Sequence, residues 1–300
     1  METANLLPWT RPAMQSSIFE ARVFWLAWFP DSDFELRFEA REDGFLTEEP
    51  DLGGLTIRDV PVETLREVEQ AFKPVLEFTP EVNPRLLAQC RIGMCVAGQF
   101  PDPRDLAHLQ TGTAILRGLC RLGALAVFDM LGQRFWDGDE LLDLAPDRHF
   151  DIREHVTVLT RSAPPGQGIL AHTRGLTKFA RPEIFMRGLS DADQATVPDF
   201  LNELALRSAL GKHYRERSLV RLTPPAGPLP MVGFRCYLDD SAEANPPHGM
   251  GRNMFGNASI EVVDFDEEFQ QPLEDCQLVL AALRGEGPPV VQQVEEEEQT

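Results

Sequence analysis

Residues 150–189, FDIREHVTVLTRSAPPGQGILAHTRGLTKFARPEIFMRGL, carry three short runs in which apolar and polar side chains alternate. A period of two is the period of a strand, and it fixes which side chains share a face. The breaks between the runs, at Pro164-Pro165-Gly166 and at residues 179–182, are short and rich in turn formers, which favours antiparallel pairing. Three consecutive strands are therefore expected here, with His155 near the start of the first and His172 toward the end of the second.

The rest of the chain has to build around that sheet. Residues 18–29 read as an aromatic-rich buried strand, and residues 34–40 (FELRFEA) read as its hairpin partner across Pro30-Asp31-Ser32-Asp33. A short strand over 55–60 precedes a helix over 63–72, with Leu65, Val68 and Phe72 on one face and Pro74 as its stop. Residues 75–78 read as another short strand. Residues 89–99 form a strand, Asp102-Pro103 supplies an N-cap and first-turn proline, and a helix follows over 104–122, where Gly112 and Gly118 allow close approach to a neighbour. The apolar run 124–130 completes a strand–helix–strand unit, for which a right-handed crossover between parallel strands is the default. Residues 131–150 read as a connection with one helical turn at 138–144. A helix over 198–210 and strands over 231–238 and 259–265 complete the pattern.

The expected fold is α+β: a mixed, mainly antiparallel sheet with the helices at 63–72, 104–122 and 198–210 packed on one face. Residues 1–17 read as an extended lead-in and 18–222 as the core. Residues 223–285 read as a C-terminal extension of strands and loops, and 286–300 as a disordered acidic tail.

Composition narrows the function classes. With 43% apolar and 25% charged residues the chain has the balance of a globular protein with a real core. Its longest apolar run, residues 23–29, is too short to cross a bilayer, and its start lacks the pattern of a secretory signal, so a cytoplasmic location is expected. Five cysteines without paired spacing read as buried thiols rather than as disulfides or metal ligands. The formal charge of −20 argues against a nucleic-acid backbone or an anionic membrane as partner. Residues 239–300 hold 15 acidic and 2 basic residues, so the imbalance is concentrated near the C-terminus.

Two sets of residues stand out. Asp129, at the end of an apolar strand, could join His155, His172 and Arg174 in an acid–base cluster with an oxyanion clamp. The competing account makes the histidines core or edge residues and Asp129 a cap on the turn at Leu131-Gly132. The second set, Asp264, Asp266, Glu267 and Glu268, follows a strand and could face a basic partner. The sequence contains no nucleophile elbow, phosphate-binding loop, dinucleotide fingerprint or metal-ligand spacing, and no cofactor is expected.

The segments Phe150-Asp151-Ile152-Arg153-Glu154-His155-Val156 and His172-Thr173-Arg174-Gly175-Leu176-Thr177-Lys178-Phe179-Ala180-Arg181-Pro182-Glu183 resemble bacterial families known only as domains of unknown function. Those families place a helix and an apolar strand ending in Asp before a histidine-bearing strand, followed by H-T-x-G-L-x-x-F-x-x-P-[DE]. The likeness spans about residues 90–210, with Ala180 where glycine is expected. It implies a shared fold and no established activity.

The expected function is a non-enzymatic binding protein, an immunity or regulatory factor of a bacterial conflict or secretion system, meeting a basic protein through an acidic surface. The alternative is a small-molecule hydrolase or transferase using Asp129, His155, His172 and Arg174.

Overall fold

The computed structural model describes residues 11, 19–30, 53–144, 151–162, 168–214, 231–238 and 258–285. The strand expected over 34–40, most of the lead-in, the loop at 223–230 and the acidic tail lie outside the described residues.

The strands form two sheets. The first holds β1 (Glu20–Phe29), β2 (Thr56–Val60), β3 (Ile92–Pro101), β4 (Ala126–Asp129) and β5 (Arg134–Asp137), in the order β2-β3-β1-β4-β5 and antiparallel throughout. The second holds β6 (Thr157–Ser162), β7 (Ile169–Arg174), β8 (Glu183–Leu189), β9 (Val232–Leu238), β10 (Ala258–Asp266) and β11 (Gln271–Pro272). Its order is β11-β10-β8-β7-β6, with β9 also on β10, and β8 with β10 is its parallel pair. The α+β class with mainly antiparallel strands holds. The residues expected as a C-terminal extension supply β9, β10 and β11 to the second sheet.

Eight α-helical segments accompany the sheets: α1 (Val62–Ala71), α2 (Lys73–Glu77), α3 (Pro84–Leu87), α4 (Ala107–Arg121), α5 (Gly138–Asp143), α6 (Ile152–His155), α7 (Val197–Ala209) and α8 (Gln277–Leu283), among the described residues. They do not all share one face, because β1 is buried on both of its sides. Val23, Trp25, Ala27 and Phe29 pack with Leu109 and Leu116 of α4, Leu201 and Leu204 of α7, and Ile184 and Val262 of the second sheet in one continuous core. Leu26 and Trp28 point the other way, into a smaller core with Leu65 of α1, Leu76 of α2 and Leu87 of α3. The stretch 23–29 of β1 is apolar at every position and cannot leave either face to water, so the helices divide between the two.

Several local expectations change for physical reasons. Pro74 does not stop the chain from being helical. The backbone leaves α1 at Phe72 (φ −108°, ψ 21°), and Pro74 enters the first turn of α2, where a missing N–H costs no hydrogen bond. The strand expected over 75–78 is therefore helical; four alternating residues are too few to separate the two periods. The connection after β4 contains β5, which turns back through Gln133 at φ 50°. Residues 152–155 form a helical turn closed by a reciprocal cap between Asp151 and Glu154, so His155 precedes the strand instead of lying on it. The extension contributes α8 as well as strands and loops. β3 and β4 both run antiparallel to β1, which lies between them, so the strand–helix–strand unit has parallel strands with one strand inserted.

Glycine at position 112 sets how closely α4 lies on the sheet, since a methyl group there would meet the Trp25 ring at 2.6 Å. Gly112→Ala is expected to destabilise the protein by about 1–2 kcal/mol, the cost of overpacking less the gain in helix propensity. Denaturant unfolding followed by tryptophan fluorescence measures this, and an unchanged midpoint would show that the packing is not close.

Candidate functional site

The segment between β7 and β8 lies against the first sheet, with a 3-10 turn over Leu176–Phe179 at its centre. The turn is held by charges. Thr173 Oγ1 donates to Glu183 Oε2 at 2.7 Å and accepts from Ile184 N at 2.8 Å, while Gly175 N donates to Glu183 Oε1 at 2.9 Å. Gly175 has φ 115°, and a Cβ there would lie 2.2 Å from the carbonyl oxygen of His155, so both conformation and space require glycine. Ala180 takes φ 54°, the left-handed conformation that glycine adopts without strain.

From this turn Lys178 reaches back to the first sheet and donates to Asp129 Oδ2, with both side chains almost fully buried. The other carboxylate oxygen of Asp129 accepts from Leu131 N at 3.1 Å and Gly132 N at 2.9 Å. Asp129 is thus a turn cap and an ion-pair partner at once. Three residues on, Arg181 donates to Asp102 at 2.9 Å, and Arg11 donates to the same carboxylate oxygen at 2.6 Å. The cap expected from Asp102 is not made. Asp102 binds two arginines, and α4 begins at Ala107, whose N–H donates to Asp105 at 3.1 Å. Burial lowers both guanidinium pKa values, that of Arg11 further through the charge of Arg181, while Asp102 acts in the opposite sense on each.

Three histidines lie in or beside this junction. His108 Nε2 is 2.8 Å from the carbonyl oxygen of Lys178, and burial holds its pKa down to about 4. His155 packs edge-on against Phe179, and burial followed by the charge of Lys178 pushes its pKa well below the usual imidazole range. His172 is held to about 4 by burial, then by Arg174. All three are neutral at pH 7.

The four residues proposed as an acid–base cluster do not form one. Asp129 and His155 sit around Lys178 inside the junction. Ala171 faces the main core, so the alternation of β7 turns His172 and Arg174 to the opposite face of the second sheet. There they line a cleft of about 990 Å³ together with Arg134, Arg153 and Arg161. The cleft runs between β5 and β6, the terminal strands of the two sheets. Lys178, Arg181, Glu183 and Asp102 were not among the sequence candidates; the signal available for them was charge at apolar-phase positions of a turn. Of the acidic set, Asp264 is 1% exposed and caps α8, accepting from Leu278 N at 2.8 Å and Val279 N at 2.9 Å. It faces inward and leaves the docking set. Asp266, Glu267 and Glu268 remain near or in the turn between β10 and β11, where Asp266 accepts from Glu268 N and Phe269 N.

Searches against family models, curated proteins and solved structures returned no match.

The neutral histidines make stability depend on pH. Their unfolded pKa is about 6.5 and their folded values lie lower, so the unfolded chain binds more protons and stability falls as pH drops below that value. His108 and His172 should each lose about 1 kcal/mol between pH 7 and pH 5.5, with His155 acting in the same direction. Glu154 and Asp264, whose carboxyl pKa values burial raises, act in the opposite sense. The three histidines should outweigh them, so urea midpoints should be lower at pH 5.5 than at pH 7, and equal or higher midpoints would contradict this.

Proposed function

We propose that this chain is a non-enzymatic, cytoplasmic binding protein that engages a basic protein partner through an acidic surface, in the manner of an immunity or regulatory factor of a bacterial conflict or secretion system. The observation that carries the reading is the turn between β10 and β11. Phe269 is 69% exposed there, with Glu267 and Glu268 immediately before it and Asp266 beneath, bonded to its backbone. An exposed aromatic ring set among charges has the anatomy of an interface anchor: the ring fills a pocket, and the carboxylates steer and orient the approach. The backbone of the turn is fixed by the Asp266 bonds and by Gln270 Nε2 donating to the carbonyl oxygen of Glu267 at 2.6 Å. The anchor is therefore held in place before docking.

The rival, a small-molecule hydrolase or transferase on Asp129, His155, His172 and Arg174, requires those groups to converge within hydrogen-bond reach. Asp129 is instead engaged by Lys178, and His155 is enclosed in the interior. The placement in a conflict or secretion system rests on the charge.

The partner is captured by pull-down from the native host and its binding is then measured with purified components. Phe269→Ser should weaken it by about tenfold or more. Glu267→Gln with Glu268→Gln should slow association and flatten its fall between about 0.05 M and about 0.5 M salt. A partner whose affinity and salt dependence are the same for both variants would refute the reading.

A further inference from the structure

The cleft between β5 and β6 lies outside the acidic docking turn and has the opposite charge character. In a chain of formal charge −20 it gathers four arginines, against Glu81 and Glu140. Arg134 and Arg153 are turned to protein partners. Arg134 donates to Glu140 and to the carbonyl oxygen of Arg153, and lies 3.6 Å above the Trp136 ring; Arg153 donates to Asp199 at 3.0 Å. Arg174 differs from both. Its Nε is buried and has no hydrogen-bond partner among the described residues.

Strand register places the remaining groups. Arg174 is opposite Thr157 and His172 is opposite Leu159, so Arg161, two residues beyond Leu159 on β6, and Arg174 flank His172 on the same face. Each lies roughly 7 Å along the strands from His172, on opposite sides of it, so both side chains can reach the space over the ring. Arg161 loses basicity first through burial and then through the charge of Arg174, and both arginines act on His172 in the same way. Two like charges lining one cleft repel each other, and an anion between them offsets that repulsion. Beside these donors the accessible wall is apolar, with Val75, Phe78 and Leu159. The volume is at the upper end of the roughly 300–1,000 Å³ typical of small-molecule sites.

We infer that this cleft binds an organic oxyanion, a ligand with a phosphate or carboxylate head held by Arg161 and Arg174 beside His172 and an apolar body lying against Phe78 and Leu159. The guanidinium fork fits both heads in a two-pronged manner, and the neutral imidazole adds no competing charge.

The test titrates the full chain with phenyl phosphate, phenylacetate and inorganic phosphate by calorimetry and by the Arg side-chain Nε–H signals in NMR. Phenyl phosphate or phenylacetate should bind more tightly than inorganic phosphate and should shift the Arg174 Nε–H resonance in the unaltered protein. Arg174→Gln and Arg161→Gln should each lower that affinity by about tenfold, whereas Arg58→Gln, an exposed charge on β2, should leave it unchanged. Absence of binding by both aromatic anions, equal losses in the Arg174 and Arg58 variants, or an unmoved Arg174 signal in the wild type would each overturn the inference. The NMR measurement on unaltered protein decides the matter even if a variant fails to fold.

Discussion

The buried pair between Lys178 and Asp129 is the interaction on which the arrangement of the two sheets depends. Removing an ammonium and a carboxylate from water costs several kcal/mol for each ion, and the cost is offset only when geometry and further hydrogen bonds are good. Here Asp129 receives two backbone N–H groups as well as the lysine. The same logic repeats at Asp102, shared by Arg181 and Arg11, and at Glu183, which accepts from Thr173 and Gly175. Three buried carboxylates thus fasten one eleven-residue turn of the chain. Apolar packing alone would hold the sheets together without fixing how they are placed; directional ionic contacts fix the register of one on the other.

That placement creates the cleft. Because the turn after β7 is pinned against β1 and β4, the free edge of the second sheet at β6 comes to face the edge of the first at β5. His172 and Arg174 precede the pinned residues by only a few positions on the same strand, so the junction also fixes where these cleft side chains stand. The run HTRGLTKFARPE therefore has two jobs. Thr173, Gly175, Lys178, Arg181 and Glu183 build the junction, while His172 and Arg174 face outward. Four arginines against two glutamates leave the cleft electropositive by local arrangement within an acidic chain.

Much of the fold was legible in the sequence, because its signals are local. The alternation in 157–162, 169–174 and 183–189 and the glycines of the 104–122 helix all act over a few residues. The division into two sheets was not legible, since it depends on β1 pairing with β3 and β4 across long separations and on burial of both its faces. Short segments failed where periodicity has too few residues to count, as at 75–78 and 134–137. For the candidate site, the capping role of Asp129 at Leu131 and Gly132 could be read from its position before a glycine turn. Its lysine partner lies 49 residues away and has no sequence signature. His155 was misplaced because the Asp151–Glu154 cap makes a helical turn just where an alternating pattern begins.

A double-mutant cycle on Asp129 and Lys178 tests the central claim most directly. If the pair fixes the junction, Asp129→Leu and Lys178→Met should each cost about 3–5 kcal/mol, and the double variant should recover much of the loss because no uncompensated charge is left buried. Single losses that are small, or that simply add in the double variant, would show that the two side chains do not depend on each other and that the sheets are held by apolar packing alone.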